Sequence, residues 1–430
     1  MTEEAYDSRP ERISPAGGEG GEAATTPEPD DLLIVGAGPC GLACAAAAHR
    51  AGLRYRVIEK GALVNSLVHF PLQMTFFSTS DNLSIAGVPF VSERPNPTRR
   101  EALDYYRAVV QHLGLRVQTF ERVVDVRREG DGFLVLTRPN RRLVEGLPPL
   151  PGGDDPLGDP LPAGGDPDPA VQPGPAGGMK AAPGAGSAGA GAGPGRAPGD
   201  GLRVYRARNV VLATGYFDRP NRLGVPGEDL PHVAHYYREG HAFYGRRVLV
   251  VGGQNSAVEA ALDLHRCGAR VTLAHRGAAL SERIKPWVLP PFRSLVEKGR
   301  IAVLFNTVVR AIRPGVVELD VAGQPRELEA DFVFALVGYR PDHRLARRLG
   351  VPIDPETGEP VHDPETMATP VPGVYLAGVV AAGYDANKIF IENGRWHGER
   401  IVAHVLARRT NRTPAGAAPR SGEGGERGRS

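Results

Sequence analysis

The 430-residue chain has only three cysteines, Cys40, Cys44 and Cys267, and none of them forms a Cys-x-x-Cys pair. So few cysteines argue against a disulfide-stapled secreted domain, and the missing pair excludes a dithiol relay of the Cys-x-x-Cys type. Lysine is also scarce, with five residues, so arginine supplies almost all of the positive charge. The formal net charge is +2 with both signs interspersed, which gives no indication of nucleic acid binding.

Long apolar runs are missing as well. No segment has the length needed to span a bilayer, and residues 1–30 are acidic and rich in proline and glycine, without the apolar core of a signal peptide. The sequence therefore predicts a soluble, cytoplasmic protein with no membrane partner. It leaves open whether the chain forms a homo-oligomer.

Three segments have too little apolar surface to offset the entropy of ordering them, and they predict a disordered leader (1–30), insertion (139–200) and tail (409–430). The insertion has strand-like flanks at 133–137 and 202–205. These flanks predict a β-hairpin with an expanded turn, since loop-closure entropy grows slowly with length. A tether that binds a partner is the alternative interpretation of the insertion.

What the chain does contain is one pattern twice. Residues 32–61 and 248–277 align without a gap at an offset of 216, so that Gly36 falls on Gly252 and Gly61 on Gly277. Each copy reads as a buried strand, a glycine turn, a helix and a second strand, which is the start of a Rossmann unit. The sequence thus predicts an α/β fold with two Rossmann-like dinucleotide-binding units.

The order of the remaining strands predicts how the two units are connected. A strand ends in Thr214-Gly215 before the second copy begins, and another ends at Gly378 after it. The first unit should therefore comprise residues 31–242 and 341–408, with the second unit, 243–340, inserted between them.

The two copies differ in charge where the second strand ends. Glu59 stands there in the first copy, whereas His275 and Arg276 stand there in the second. A carboxylate at this position hydrogen-bonds ribose hydroxyls, and a cationic pair suits a 2′-phosphate. Two bound dinucleotides, one of them NADPH, are the prediction. The nearby Arg283 and Lys285 either complete the phosphate site or are surface charges.

The first glycine turn, Gly36-Ala-Gly-Pro-Cys-Gly41, has all three glycines of a pyrophosphate cradle. The second copy departs from the pattern, with Gln254 in place of the middle glycine and Ala257 in place of the third. A Rossmann unit that has lost its ligand is the alternative interpretation of this second copy.

Several longer stretches resemble the flavoproteins related to thioredoxin reductase, and above all the bacillithiol disulfide reductases. They include GAGPCGL, VIEKG, MTFFSTSDNL, ATGYFDRPNRLGVPGEDLP, GGQNSAVEAAL, RIKPW, FVFALVGYRPDH and AGVVAAGYDANKIFIENGRWHG, and the resemblance covers nearly all of residues 31–408. It implies FAD in the first unit and NADPH in the second.

Carried over residue by residue, the resemblance implies the following binding sites. FAD is assigned to Gly36, Gly38, Pro39, Cys40, Gly41, Glu59, Lys60, Thr214, Gly215 and Gly378. NADPH is assigned to Gly252, Gly253, Asn255, Ser256, Ala257, His275 and Arg276. The Gly-Asp pair that usually holds the ribityl chain of FAD reads Gly378-Val379 here, so that contact is left without a residue.

Cys40 is the candidate catalytic residue, because it lies in the glycine turn at a helix N-terminus, where free N–H groups and the helix dipole favour a thiolate. Its alternative role is that of a small side chain filling a tight turn. Cys44, one turn further on, is expected in the core, and Cys267, before a helix-ending glycine, is expected to be structural.

Two further segments have open assignments. Met74–Ser78 either lines the flavin pocket or belongs to the core. A helix predicted over 387–408 would begin beside Lys388, which either stabilises negative charge on reduced flavin or is an ordinary exposed lysine.

The resulting expectation is hydride transfer from NADPH to FAD, followed by reduction of a small-molecule disulfide, with bacillithiol disulfide as the substrate that the resemblance implies. Three alternative functions are also compatible with the sequence: a flavin-dependent monooxygenase, a reductase of ferredoxin or flavodoxin, and a non-catalytic redox sensor.

Overall fold

The computed structural model describes residues 28–140 and 201–412. The predicted leader, insertion and tail lie outside the described residues except at their edges. There, Asp30 forms a bridge with Ala207, and the last helix continues to Arg412. Regular structure therefore extends slightly past the predicted boundaries at residues 30 and 409.

The strands of the described residues are, in chain order, β1 (Leu32–Val35), β2 (Tyr55–Ile58), β3 (Val117–Gln118), β4 (Glu121–Glu129), β5 (Gly132–Pro139), β6 (Arg203–Ala207), β7 (Val210–Leu212), β8 (Arg219–Pro220), β9 (Val233–Ala234), β10 (Arg247–Val251), β11 (Arg270–Ala274), β12 (Ala302–Leu304), β13 (Thr307–Arg313), β14 (Val316–Val321), β15 (Gln324–Glu329), β16 (Phe332–Ala335), β17 (Tyr339–Arg340) and β18 (Val374–Leu376). The α-helices are α1 (Pro39–Arg50), α2 (Asn65–Val68), α3 (Ser80–Leu83), α4 (Arg99–Leu113), α5 (Asn255–Arg266), α6 (Leu289–Glu297), α7 (Arg344–Arg348), α8 (Ile391–Gly394) and α9 (His397–Arg412). Short 3₁₀ helices span His241–Phe243 and Gly378–Ala382.

Two parallel five-stranded sheets form the centres of two units. Their strand orders are β18-β7-β1-β2-β3 and β12-β11-β10-β16-β9. Each unit also has a three-stranded antiparallel sheet, β4-β5-β6 in the first and β13-β14-β15 in the second. Because β18 returns to the first sheet after the whole second unit, the second unit is inserted into the first, and the predicted α/β fold is confirmed.

The internal repeat holds at the level of single residues. Helix α1 spans Pro39–Arg50 and helix α5 spans Asn255–Arg266, so both ends of the two helices differ by the same 216 residues that align the sequences. Each helix follows a strand whose partners are parallel on both sides. Parallel strands bury both faces, which explains why β1 and β10 read as nearly continuous apolar runs.

The hairpin predicted around the insertion is present. Strands β5 and β6 pair antiparallel in the register Phe133↔Ala207 to Thr137↔Arg203. At its open end, the Asn140 backbone N–H donates to the Phe120 carbonyl oxygen over 2.7 Å. The described chain therefore reaches residues 140 and 201 just beyond two paired strands of one sheet.

The second unit begins earlier in the sequence than residue 243, the predicted boundary. Strand β9 pairs with β16 in the second sheet, and Tyr237 lies in the core of that unit. The chain crosses between the units through a two-residue antiparallel ribbon of β8 and β17. The boundary was misplaced because two residues of strand give no periodic signal.

Helix α1 is unusual in being buried on nearly all sides. Its central residues, Leu42–Ala48, are mostly alanine and almost fully inaccessible. Small side chains permit close packing against α9, where Gly398 leaves no room for a side chain next to Cys44. The predicted core location of Cys44 is thereby confirmed, and α1 is held firmly between the sheet and the last helix.

No helix within the described ranges is long and apolar enough to cross a membrane. Nor do three His, Cys, Asp or Glu side chains come together there in a group that could hold a metal ion.

Candidate functional site

The first glycine turn has the geometry of an open cradle. Gly36 adopts φ +109°, and a Cβ there would lie 2.4 Å from the Ala213 carbonyl oxygen. A Cβ on Gly41 would lie 2.1 Å from the Gly36 carbonyl oxygen, whereas a Cβ on Gly38 would meet nothing within 4 Å. Two glycines thus allow close strand and helix packing, and the third faces open space in front of the helix.

Helix α1 begins at that open space without a side-chain cap. Gly38 is its N-cap residue and Pro39 its first residue, which fits proline because the first position needs no N–H partner. The other first-turn N–H groups and the positive end of the helix dipole point to the same side. This arrangement is suited to a pyrophosphate.

Glu59 lies directly beneath the turn. Its Oε2 accepts a hydrogen bond from the Ala37 N–H at 2.8 Å, and its Oε1 accepts one from the Gly61 N–H at 2.9 Å. Burial raises the pKa of Glu59, and the two backbone N–H groups oppose that shift. Each carboxylate oxygen accepts one such bond, so capacity remains for ribose hydroxyls.

Three predicted FAD residues lie where parallel strands β7 and β18 end. Thr214 and Gly215 follow β7, and Gly215 adopts φ +71° with open space at its missing side chain. Gly378 follows β18, and its N–H donates to Nδ1 of His397 over 3.1 Å. The structure thus brings these residues to the same sheet edge as the glycine turn.

His397 was not singled out from the sequence. It is buried at the start of α9, and burial lowers its pKa to about 4, so the imidazole is neutral at pH 7. Since Nδ1 accepts from Gly378, the proton of the neutral ring is on Nε2. A histidine far along the chain gives no sequence signal for such a contact.

The thiolate expected at Cys40 is not supported by the structure. A Cβ on Gly394 would lie 2.8 Å from the Cys40 sulfur, and one on Gly378 would lie 2.9 Å from it, so the thiol packs against two bare stretches of backbone. Burial raises the pKa of Cys40 to about 12. Desolvation of the charged form outweighs the helix N-terminus, and the group is a neutral thiol at pH 7.

Lys60, predicted at the FAD site, is engaged elsewhere in this structure. Its ammonium forms an ion pair with Asp218, which lies shortly after the Thr214-Gly215 turn. The pair joins the ends of two strands of the first unit. Both side chains of the pair are partly exposed.

The second glycine turn repeats the first with small changes. Gly252 adopts φ +151°, and a Cβ there would lie 2.5 Å from the Leu336 carbonyl oxygen and 2.8 Å from the Ala257 Cβ. Gln254, in place of the middle glycine, is the N-cap of α5 in an extended conformation. The turn keeps its shape because Gln254 needs no positive φ.

The His275 side chain requires a glycine at position 253, just before Gln254. A Cβ on Gly253 would lie 2.2 Å from Nδ1 of His275, so the imidazole occupies the space beside that glycine. Burial, and then the neighbouring Arg276, lower the pKa of His275. The predicted cationic pair is therefore a single cation at neutral pH: His275 is a neutral, packed ring, and Arg276 is exposed.

The remaining NADPH residues take two positions at the start of α5. Ser256, the second helical residue, is exposed beside the turn. Asn255 is engaged with a loop, because its Oδ1 accepts from the Lys285 N–H at 2.8 Å and its Nδ2 donates to the Arg283 carbonyl oxygen at 3.2 Å. Asn255 thus orders the loop that borders the cradle.

The helix predicted over 387–408 is wrong in its first part. Helix α8 begins at Ile391 and ends at Gly394, and α9 begins at His397. The Asn393 side chain accepts from the Phe390 N–H and donates to the Lys388 carbonyl oxygen, closing a local turn instead of a continuous helix. Lys388 is not at a helix N-terminus; its ammonium pairs with Glu359 and is half exposed.

Residues of Met74–Ser78 have divided roles. Phe76 is buried in the core of the first unit, whereas Phe77 is exposed and stacks on Trp287 of the second unit. Lys285 is buried and donates to the Thr75 carbonyl oxygen over 2.9 Å. The segment is therefore partly core, as one interpretation held, and partly a contact between the units. Neither interpretation had included that contact.

Two cradles of this geometry, one ending in a buried carboxylate and one in an exposed arginine, define an α/β oxidoreductase that binds two dinucleotides. The family described as pyridine nucleotide-disulphide oxidoreductase matches residues 33–142 and 201–378. The chain belongs to this family, within its thioredoxin-reductase-like branch, and it is an FAD-binding enzyme that uses NADPH.

The relatives cover most of the chain. Bacilliredoxin reductase Bdr of Bacillus subtilis (strain 168) is 40% identical over 381 residues, which cover 88% of this chain and 98% of that protein. The structure of the bacillithiol disulfide reductase Bdr from Bacillus cereus is 38% identical with a TM-score of 0.73, covering 89% of this chain and 100% of that one. The corresponding protein from Staphylococcus aureus is 36% identical with a TM-score of 0.72, covering 89% and 99%.

Proposed function

We propose that this enzyme uses NADPH to reduce bacillithiol disulfide to bacillithiol. The observation that carries the proposal is its full-length similarity to proteins named for bacillithiol disulfide and bacilliredoxin. The reaction consumes two electrons and two protons for each disulfide and yields two thiols. Bound FAD supplies the electron transfer between NADPH and the acceptor.

In this proposal the first cradle holds FAD. The turn from Gly36 to Gly41 supports the pyrophosphate at the start of α1, and Glu59 accepts hydrogen bonds from ribose hydroxyls. Thr214, Gly215 and Gly378 border the same space at the ends of β7 and β18. The glycines keep side chains out of the space that the dinucleotide occupies.

The second cradle is assigned to NADPH, and Arg276 is the residue that favours the 2′-phosphate. It is exposed where β11 ends, and it forms no ion pair among the residues that the structure describes. His275 holds the turn in shape through its contact with Gly253. Gly252, Ser256 and Ala257 complete the turn from which α5 begins.

Cys40 stays the predicted nucleophile, and the structure defines what its attack requires. A thiol must lose its proton before the sulfur attacks a disulfide, and burial raises the pKa of Cys40 to about 12, so the thiolate is the minor form at pH 7. Attack by Cys40 is therefore proposed to become faster as the pH rises. Packing against Gly378 and Gly394 is the alternative role.

A cytoplasmic location is part of the proposal. Its support is that Cys40, Cys44 and Cys267 are all free thiols, as proteins of a reducing compartment usually have. Whether the enzyme works as a homo-oligomer is a separate question, which gel filtration coupled to light scattering answers.

The proposed substrate is tested by NADPH oxidation with a panel of acceptors under anaerobic conditions. Bacillithiol disulfide should support turnover, and glutathione disulfide and cystine should support much less. Turnover only with an oxidised bacilliredoxin would assign a protein acceptor instead. Turnover that requires oxygen and an organic substrate would identify a monooxygenase and contradict the proposal.

A further inference from the structure

The segment 72–77 of the first unit is the place where the second unit is held against it. Three contacts join the two: Leu72 with Arg238, Thr75 with Lys285, and Phe77 with Trp287. The only covalent connections are the two passes of the β8–β17 ribbon, each two residues long. The orientation of the second unit on the first therefore depends on noncovalent contacts, to which these three and the contact of Phe217 with Tyr236 contribute.

Lys285 makes the contact that involves a buried charge. Its Nζ lies 2.5 Å from the Glu259 carboxylate of α5 and donates to the Thr75 carbonyl oxygen at 2.9 Å, and its side chain is only 7% exposed. A buried ammonium group is costly unless it is paired. Glu259 supplies the opposite charge from the second unit, and Thr75 supplies an acceptor from the first.

The backbone around Lys285 is tied to the dinucleotide cradle. Its N–H donates to Oδ1 of Asn255, the first residue of α5, and Asn255 also binds the carbonyl oxygen of Arg283. A displacement of Lys285 thus displaces the start of α5 with it. The contact with Thr75 fixes the cradle of the second unit, not merely its surface, against the first unit.

The neighbouring aromatic pair gives a second contact and a natural reporter. The rings of Phe77 and Trp287 stack with centroids 5.9 Å apart at an angle of 25°. Both side chains are exposed at the surface, 59% for Phe77 and 44% for Trp287. Separation of the units would remove this stack and expose Trp287 further.

We propose that Lys285 is a positioning residue for the electron transfer between the two dinucleotides: its ammonium joins Glu259 to the Thr75 carbonyl and holds the second cradle in register with segment 72–77. This role does not depend on which disulfide is the acceptor. Small losses of alignment between bound reactants slow a reaction strongly without weakening binding.

The test uses the FAD-loaded enzyme in a Trp396→Phe background, where Trp287 is the only tryptophan of the chain. Lys285→Met keeps most of the side-chain length and removes the charge. Reduction of the flavin by saturating NADPH should become at least about fivefold slower in anaerobic stopped-flow measurements, with the Kd for NADPH nearly unchanged. Quenching of Trp287 fluorescence by acrylamide should increase at the same time.

Two variants make the result specific. Lys285→Arg keeps a cation and its donors and should retain both the rate and the quenching of the parent. Lys298→Met removes an exposed lysine just after α6 in the same unit and is the matched control. Phe77→Ala changes an exposed position and tests the contact even if Lys285→Met fails to fold. It should increase the quenching of Trp287, and unchanged quenching would contradict the Phe77–Trp287 contact between the units.

An unchanged flavin-reduction rate in folded Lys285→Met would overturn the positioning role. A slower rate with unchanged Trp287 quenching would also overturn it, because the units would then not have moved. No disulfide is present in these measurements. They therefore test the positioning role of Lys285 separately from the proposed disulfide substrate.

Discussion

Cys40 shows how the surroundings of one side chain decide its chemistry. Its position at the start of α1 favours a thiolate, yet the backbones of Gly378 and Gly394 pack against the sulfur, and the loss of hydration disfavours a charge there. The pKa rises to about 12 as a result. Both glycines lie far along the chain, so no local pattern around Cys40 could have indicated this burial.

A pH profile tests the proposed attack by Cys40. Between pH 7 and 9 the thiolate is the minor form, so disulfide reduction limited by Cys40 should become about tenfold faster for each pH unit. Cys40→Ala should lose disulfide turnover while keeping FAD binding and flavin reduction by NADPH. Full disulfide turnover in Cys40→Ala would assign Cys40 to packing.

Arg276 is predicted to select NADPH over NADH. Because His275 is neutral and packed on Gly253, the guanidinium of Arg276 is the charge available for a 2′-phosphate. Arg276→Ala should raise the KM for NADPH by about 10- to 100-fold, the cost of a charged hydrogen-bonded contact, and leave that for NADH nearly constant. Equal losses with both nucleotides would show that Arg276 does not contact the phosphate.

At the scale of elements, Gly36 and Gly41 of the first turn are needed for close packing within the fold, whereas Gly38 is needed for ligand binding. Gly41→Ala places a Cβ 2.1 Å from the Gly36 carbonyl oxygen and should lower the free energy of unfolding by about 1–3 kcal/mol in the apoprotein. Gly38→Ala meets open space, so apoprotein stability should change by less than about 0.5 kcal/mol while FAD affinity falls. Chemical denaturation and FAD titration measure the two effects, and equal FAD affinity in Gly38→Ala would contradict the cradle.

The hairpin of β5 and β6 predicts that segment 141–200 is dispensable for electron transfer. Its two ends meet in a paired sheet, and Asn140 is anchored to Phe120 and to the Lys60 carbonyl oxygen. Replacing 141–200 by a short turn should leave FAD binding and NADPH oxidation intact. Loss of soluble protein would show that the segment contributes to the fold.

Much of this architecture could be predicted from the sequence, because it depends on local patterns. The repeat predicted a strand, a glycine turn and a helix in each unit, which β1 with α1 and β10 with α5 confirm, and the strand-like flanks predicted the β5–β6 hairpin. The helix beginning at Asn387 was wrong because the Asn393 side chain closes a turn that competes with it. Strand β9 and the buried Lys285 were missed because each depends on partners from distant parts of the chain.

At the scale of the whole molecule, the inserted unit places two dinucleotide cradles on one chain and leaves their alignment to a few contacts. The β8–β17 ribbon joins the units, and the Lys285–Thr75 hydrogen bond and the Phe77–Trp287 stack are contacts between them. The sequence contains no Cys-x-x-Cys pair of the kind that relays electrons from a flavin. We therefore expect the acceptor to be reduced at the flavin or through Cys40.

The most direct test of the central claim is a single reoxidation measured in the absence of oxygen. The FAD-loaded enzyme is reduced with one equivalent of NADPH, mixed with bacillithiol disulfide, and followed by flavin absorbance and by the thiol released. We expect that the oxidised flavin spectrum returns within the turnover time, with two thiols formed for each flavin. A flavin that stays reduced with bacillithiol disulfide but is reoxidised by oxygen or by a protein acceptor would contradict it.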